Sequence, residues 1–596
     1  MNWKGLSRRK KKKIDSFGGK NLSWKLKEIL KQRLQRETGH YIYAPGSRSR
    51  MALIYPNSYF VGMSNLGFHI IYELMNERAD TACERFFLPD KKELEEYQRS
   101  HTQLLSLETQ SSLQAFPLLA FAISFEMDYF NVLKILELGR IQPLAAERGA
   151  MDPVIIAGGP CATFNPEPLS LFFDAFIIGE GEETMERFMD AYYAGLEAHL
   201  DRPALLASLA RVPGVYVPSL YDSQEDEQGR VLAIRKQAEA PEKVQRQWVA
   251  DLDAYPAHTV VETEDTEFNL YLIETARGCG RHCRFCMAGY CFRRPRNRSL
   301  PALEKMLLAA KAAGKRVGLM GAAISDYPEI DVLCREILGD GLSMSVASFR
   351  ADSVTRELVT SLAASGLRTL TMAPEAGSAR MRAVINKGIE EEHLFHAMDL
   401  GIAAGIRNYR LYLMIGLPYE QPEDIQGIID LAGRLKDYME DRGCRGTLTL
   451  SINPFIPKPF TPFQWVPMAP LKQVEASLKA IRTALRGRRN IEIIAESPKE
   501  AYIQGVLARG SRRISAVIYE AHKLGGSKAF KRSMKAAGLQ MEDYLYRQRT
   551  REEIFPWDML DMGFSREYLY QELEKAARLQ PTMKCFDGCK RCGVCR

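Results

Sequence analysis

The sequence predicts an α/β protein: a doubly wound parallel sheet first, then a partial (β/α)6 barrel, then a mainly helical carboxy-terminal region. Three observations support this. Short apolar runs alternate with helical stretches between residues 48 and 200, a second series of the same kind starts near residue 268, and glycine pairs close two runs of the first series. Strands alternating with helices at this spacing form parallel sheets covered on both faces, and such sheets hold ligands beyond the carboxyl ends of their strands.

The chain has 596 residues, of which 46% are hydrophobic and 26% charged. That is enough for several folding units with cores of their own and excludes wholesale disorder, collagen and coiled coil. No uncharged apolar run approaches the ~18 to 20 residues of a membrane-spanning helix. The start lacks the apolar stretch and cleavage site of a secretory signal, so a cytoplasmic location is expected. Charge is uneven: the formal net value is +7, yet residues 1–50 hold 15 Lys and Arg against three acids, which leaves the remainder net acidic. Residues 1–47 read as a basic tail, with the run Arg8 to Lys13, and an amphipathic helix that aligns Leu22, Leu26, Ile29, Leu30 and Leu34. That helix either contacts RNA or an anionic membrane surface, or packs on its own protein.

Within 48–200, RMALIYP, AFAISF, PVIIAGGP and FDAFIIGEGEE read as strands and FHIIYELMNE and YFNVLKILEL as helices, a Rossmann-like arrangement. Gly158, Gly159, Gly179 and Gly181 end strands there; each permits close backbone approach, and a nucleotide-like ligand is expected beside them. Residues 201–265 read as a linker with an exposed hairpin. FNLYLIET, KRVGLMGA, SMSVASF, LRTLTMA, NYRLYLMIG and TLTLSINPF are the six strands of a partial TIM-type barrel over 266–470, whose site belongs at the strands' carboxyl ends. Residues 471–596 read as helical, ending in a cysteine group.

Cys279, Cys283 and Cys286 form C-x3-C-x2-C directly after the first barrel strand. In a reducing cytosol such groups favour metal over disulfides. Three thiolates from one loop hold three corners of a [4Fe–4S] cube and leave the fourth iron open, whereas zinc usually takes four ligands in separated pairs. Cys291 breaks the spacing and reads as a bystander. This loop, at the first strand of a six-repeat barrel, resembles the radical S-adenosylmethionine (SAM) superfamily. The resemblance implies that the open iron chelates SAM and that one electron breaks its sulfonium–carbon bond, releasing a 5′-deoxyadenosyl radical that takes hydrogen from a substrate. It also implies an electron donor such as flavodoxin or ferredoxin.

Further motifs carry the same resemblance. Glu274 and Arg277 stand in the approach to the cysteines, and Phe285 is the aromatic before the third. Ser325 and Asp326 in MGAAISDYP stand where a glycine-rich loop would hold the methionine amino group. Ser348 and Arg350 follow the third strand, and Glu375, with Arg382 and Lys387 nearby, follows the fourth and is assigned to the ribose hydroxyls. Ile415 and Gly416 in MIGLP match the backbone platform for adenine.

The amino-terminal half resembles a branch of the superfamily with a cobalamin (B12)-binding-type domain. This implies corrinoid contacts near Ser124, Gly158, Gly159, Gly179, Glu180 and Gly181. No D-x-H-x-x-G occurs, so that motif supplies no histidine to cobalt, and His69 and His101 read as packing or surface residues. The sheet either binds cobalamin or keeps the fold without it. Cys585, Cys589, Cys592 and Cys595 have ferredoxin-like spacing and are expected to hold a second iron–sulfur cluster, with zinc as the alternative. The expected function is SAM cleavage followed by cobalamin-dependent methylation, or a related C–H functionalisation, of an unknown substrate. Two alternatives stand beside it. One is RNA modification without cobalamin, drawn from the Arg8 to Lys13 run and from Arg293, Arg294, Arg296 and Arg298, which phosphate would attract. The other is a non-catalytic, metal-stabilised binding protein.

Overall fold

A computed structural model describes residues 24–595 of the chain. The basic run and Leu22 lie outside these residues. The amphipathic helix is present as Trp24–Leu34 and buries Leu26, Leu30 and Leu34 against its own protein. Arg33 on its last turn pairs with Glu93 at 2.6 Å, and Glu37 just beyond it receives Arg85 at 2.6 Å in full burial. The helix therefore belongs to the amino-terminal domain, and its apolar stripe is not free for RNA or a membrane.

Five parallel strands and one antiparallel strand form the first sheet: β1 (Ser49–Tyr55), β2 (Thr81–Phe87), β3 (Leu118–Ala122), β4 (Val154–Gly158), β5 (Ala175–Ile177) and β6 (Val215–Tyr216), in the order β2-β1-β3-β4-β5-β6. Every residue of β2 is buried, as are the last five of β1, because helices cover both faces of a doubly wound sheet. The order reverses between β1 and β3, which opens a crevice at the carboxyl ends there. A hairpin of β7 (Tyr221–Glu225) and β8 (Val231–Lys236) follows, and then β9 (Val244–Gln245).

The second unit is an open barrel. β10 (Tyr271–Glu274) precedes a small antiparallel ladder of β11 (Ala276–Arg277) and β12 (Arg296–Asn297). β13 (Val317–Met320) and β14 (Met344–Val346) join β10 in one parallel sheet, and β15 (Thr369–Glu375), β16 (Asn408–Ile415), β17 (Leu448–Pro454) and β18 (Ile491–Ala495) form another. A parallel bridge from Phe349 to Met372 connects the two. β16 alternates half-buried and buried residues along its whole length, as expected of a strand with one face on the barrel interior and one under helices. The arc has a seventh strand, β18, beyond the six read from sequence, within a segment expected to be helical. β19 (Leu560–Asp561) pairs with β9, so the carboxy-terminal helical region folds back onto the linker. Among the described residues no helix is long and apolar enough to cross a membrane.

Candidate active site

The cysteine loop leaves β11 at Gly278, which adopts φ +80°. A Cβ there would sit 2.0 Å from the Phe292 carbonyl oxygen, so only glycine lets the loop start at this angle. Cys283 is buried and Cys279 and Cys286 are partly so. Burial, followed by repulsion from Cys283 and Cys279, pushes the Cys286 thiol up to about 12. Burial also raises Cys279, with Cys283 adding to it. Three thiols crowded in this way favour deprotonation only if positive charge arrives among them, which bound iron supplies. Three cysteine thiols on one loop are, by residue type and spacing, the donor set a [4Fe–4S] cluster takes. Cys291 is wholly buried in the short helix Ala288–Cys291.

Charged side chains pin the loop from the barrel side. Arg281, between the first two cysteines, forms a bidentate pair with Asp326 at 2.7 and 2.8 Å and a third bond to Asp352 at 2.8 Å. Burial opposes the Asp326 charge, but the bonds and charge of Arg281 outweigh it and hold that carboxyl below the ordinary range. Arg350 reaches Asp352 at 2.9 Å, the Lys387 carbonyl at 2.6 Å and the Cys283 sulfur at 3.9 Å. The Ser325 hydroxyl accepts from the Arg350 backbone N–H at 3.1 Å. Asp326 and Arg350 thus touch the cysteine loop, and Ser325 braces the backbone of Arg350.

Glu375 lies at a bulge with φ +65°, a left-handed conformation uncommon away from glycine, and meets Lys387 through one carboxylate oxygen at 3.0 Å. The Lys387 ammonium lies 5.9 Å from the centre of the Phe285 ring. Ser348 is half-buried after β14. At the end of β16, the Ile415 carbonyl receives the Phe455 N–H at 2.9 Å. The Gly416 N–H is capped by Glu420 at 2.9 Å, and burial raises that carboxyl to about 7. The Ile415 carbonyl and the Gly416 N–H are thus paired inside the protein. Sequence reasoning missed Arg281, Asp352, Glu420 and Gly278. All four lie within or beside the motifs; Arg281 finds its partners after β13 and β14, whereas Glu420 caps the Gly416 N–H of its own loop.

The six residues assigned to the corrinoid lie together. Ser124, Gly158, Gly159, Gly179, Glu180 and Gly181 line one cavity of about 500 Å³ at the carboxyl ends of the first sheet. Its opposite wall is the barrel mouth: Glu274, Arg277, Gly278, Ala288, Phe292 and the Met320–Ala322 turn. No histidine is among the lining residues. The close approaches that require glycine are mostly internal. A Cβ on Gly179 (φ +111°) would meet the Gln247 oxygen at 2.1 Å, and one on Gly159 (φ +98°) the Ile123 oxygen at 2.7 Å. At Gly158 only Ile177 comes within 4 Å, at 3.8 Å, so this position faces open space. The Glu180 carboxylate is spent on Arg296 and Arg277 across the junction, with Arg277 also bound by Glu182 at 2.7 Å and Glu274 at 2.9 Å.

The same junction removes the arginine run from the surface. Arg293, Arg296 and Arg298 are buried, donating to the Arg281 carbonyl, to Glu180 and to Glu274 respectively, and only Arg294 is exposed. The phosphate-binding patch expected beside the cysteines is therefore not there.

Of the four terminal cysteines, Cys585 docks on the Cys279 loop. The Cys585 N–H donates to the Gly280 carbonyl at 2.8 Å, and the Cys585 sulfur lies 3.4 Å from His282 Nε2. Cys589 and Cys592 are close enough to Cys585 to perturb its thiol, though burial does most to raise it.

A parallel β/α barrel with a three-cysteine loop after its first strand, facing a doubly wound sheet, defines a cluster-dependent SAM enzyme. Comparison agrees. Residues 67–218 match the family of radical SAM proteins, N-terminal, and residues 273–432 match the radical SAM superfamily. An uncharacterized protein from Methanocaldococcus jannaschii is 30% identical over 472 residues, covering 78% of this chain and 89% of that one. The chain belongs to the radical SAM superfamily and is a radical SAM enzyme. Among solved structures, the radical SAM methyltransferase TsrM from Kitasatospora setae, with cobalamin and a [4Fe–4S] cluster bound, is 15% identical with a TM-score of 0.42, covering 68% of this chain and 72% of that one. The cobalamin-dependent SAM radical enzyme OxsB, with aqua-cobalamin and SAM bound, is 13% identical with a TM-score of 0.42, covering 89% and 79%. A [4Fe–4S] cluster, SAM and a reductant follow from the family.

Proposed function

We propose that this enzyme is cobalamin-dependent and methylates, or otherwise functionalises, an unactivated C–H bond of a substrate still to be identified. The observation that carries the reading is the shared cavity: one wall is the carboxyl edge of the sheet and the other includes Gly278, next to Cys279. A ligand there is within reach of chemistry at the cysteine loop. Cys279, Cys283 and Cys286 would hold the cluster, which supplies the electron that splits SAM. A corrinoid in the cavity would supply a methyl group. Ser124, Gly158, Gly159, Gly179 and Gly181 would hold the corrinoid.

The chain's own residues do the positioning. Arg281, Asp326, Asp352 and Arg350 fix the loop so that the three sulfurs keep their spacing. Ser348 and the Glu375 carboxylate oxygen not bonded to Lys387 would meet the SAM ribose and methionine groups, beside Ser325, Asp326 and Arg350. Leu53, Ile70, Ile71 and Ile156 line the cavity with hydrocarbon and exclude water from one face of a bound ring. The test is anaerobic reconstitution with iron, sulfide and hydroxocobalamin, followed by SAM and dithionite. The expected result is 5′-deoxyadenosine formation together with a corrinoid spectrum that survives gel filtration. SAM cleavage by protein that retains no corrinoid would replace this reading with a cobalamin-independent radical reaction.

A further inference from the structure

Three arginines of the carboxy-terminal region meet beside the linker hairpin with too few acids to balance them. Arg509 ends the helix Pro498–Arg509, and Arg547 and Arg549 follow the helix Met541–Leu545. Arg509 is 1% exposed and Arg549 5%. Arg547 takes both carboxylate oxygens of Glu553, and the same carboxylate stays 3.9 Å from Arg549 Nε. Arg509 donates through Nη1 to the Val466 carbonyl at 2.9 Å, and Arg549 reaches the Arg509 carbonyl at 3.5 Å through Nη2. Five further donor atoms, Arg509 Nε and Nη2, Arg549 Nε and Nη1 and Arg547 Nε, are buried and have no hydrogen-bond partner among the described residues.

These arginines line a cavity of about 10 Å³ together with residues 228–231 of the hairpin turn and Tyr544. Arg230 on the turn is met by Asp226 at 3.7 Å, and the two cancel. That leaves Arg509, Arg547 and Arg549 against Glu553 and Asp543, one positive charge in excess. Asp558, which also acts on Arg549, is taken by Arg566 at 2.9 Å. Arginine does not shed its proton inside proteins, and a buried cation without a counter-charge is strongly unfavourable. Burial, followed by repulsion from Arg549 and Arg547, holds the Arg509 guanidinium well below the ordinary arginine range, and burial takes Arg549 down to about 10 in spite of Glu553. The Phe555 and Trp557 rings, centred 5.3 and 5.6 Å from the Arg549 guanidinium, ease the cost for that residue. They supply no charge.

We propose that this cavity binds one monovalent inorganic anion of chloride size, held by Arg509 and Arg549 and covered by the hairpin turn. A single negative charge brings the local balance to zero. The space is that of one atom-sized particle, which admits a halide and is too small for phosphate or sulfate. A water molecule would accept two of the free N–H groups but would leave the excess charge in place. The ion joins three segments distant in sequence: the β7–β8 hairpin, the end of the helix Pro498–Arg509 and residues 543–556. Val231 already bridges Ile554 beside it, so the ion fastens the linker hairpin to the carboxy-terminal region at an existing contact. None of its lining residues belongs to the larger cavity at the barrel mouth, so the site is independent of SAM and corrinoid chemistry.

The experiment melts full-length reconstituted enzyme in sodium gluconate and in mixtures with sodium chloride at one fixed ionic strength. The parent should melt about 2 °C or more higher as chloride replaces gluconate, and the rise should saturate. That direction opposes the general salt order, in which the more strongly excluded anion stabilises. Sodium bromide should reproduce the rise. Arg509→Met removes the cation that the ion neutralises, so it should melt no lower than the parent in gluconate and should gain nothing from chloride. A measurement on the parent alone stands beside the variant: crystals grown in sodium bromide should show an anomalous peak between the Arg509 and Arg549 guanidinium groups. Equal melting of the parent in the two salts, a rise that never saturates, a chloride response retained by Arg509→Met, or a bromide-grown crystal with only water at that position would each overturn the site. An Arg509→Met protein that melts well below the parent in gluconate would do the same, since it would make the arginine a packing residue whose charge needs no ion.

Discussion

Arg296 donates two hydrogen bonds to Glu180, 2.6 and 2.8 Å long, across the junction between sheet and barrel. Both side chains are buried. Removing one member of such a pair leaves a charge without its partner, which costs about 3 kcal/mol or more. Glu180→Gln should lower the urea midpoint accordingly. The double variant Glu180→Leu, Arg296→Met should recover part of that loss, because no charge is then stranded, and a double-mutant cycle measures the coupling. Additive losses would mean that the two residues do not act as a pair.

The cysteine loop gives a second prediction. Alanine in place of Cys279, Cys283 or Cys286 removes one of three ligands, so cluster content and SAM cleavage should both fall to background. Arg281→Met should act differently. It leaves the three sulfurs in place but frees Asp326 and Asp352, which lie 2.7 to 2.8 Å from the guanidinium in the parent. Iron should still load, while 5′-deoxyadenosine formation drops about tenfold or more through a misplaced loop. Retention of full activity would show that the arginine only decorates the site.

How much of this was legible in the sequence depends on the range of the interaction involved. β1, β3, β4 and β5 announce themselves because a parallel strand buried on both faces is mostly apolar, whereas β2 did not, since its run TACERFF carries the buried Glu84 and Arg85. β18 did not, since its IEIIA run alternates with exposed residues and follows a long charged helix. The three cysteines were legible because iron chemistry restricts both residue type and spacing. The arginines that follow them misled for the opposite reason: a run of four cations reads as surface until Glu180 and Glu274 are seen to receive Arg296 and Arg298. The docking of Cys585 on Gly280 has no local signature at all.

Acid should weaken the fold through His69. Its ring is fully buried, with Nδ1 accepting from the Val260 and Val261 N–H groups at 3.3 Å and Nε2–H donating to the Met63 carbonyl at 3.0 Å. Burial holds the ring neutral and lowers its pKa to about 4. The unfolded chain, with a pKa near 6.5, binds the proton first as pH falls, so stability is complete above about pH 6.5 and is lost between there and about 4. The loss from this group should be about 2 kcal/mol between pH 7 and pH 5. Denaturant titrations at a series of pH values should show that slope in the parent and a flatter one in His69→Gln, which is less stable at pH 7. Equal slopes would place the acid sensitivity elsewhere.

The cavity can be tested by two glycines that differ in what surrounds them. Gly158 ends β4 with an ordinary φ, and an added Cβ would meet only Ile177, 3.8 Å away. A larger side chain there can extend into the space lined by Ser124 and Gly181 without disturbing its neighbours. Gly179 has φ +111° and would drive a Cβ to within 2.1 Å of the Gln247 oxygen, so a side chain there must break the bridge between Gly179 and Gln247. Gly158→Leu should therefore melt like the parent, load its iron and still cleave SAM, yet fail to retain hydroxocobalamin through gel filtration. Gly179→Ala should lose about 2 kcal/mol or more of stability whatever ligand is present. Should Gly158→Leu hold corrinoid as well as the parent does, the cofactor does not occupy this cavity. The sheet would then serve the barrel as a wall.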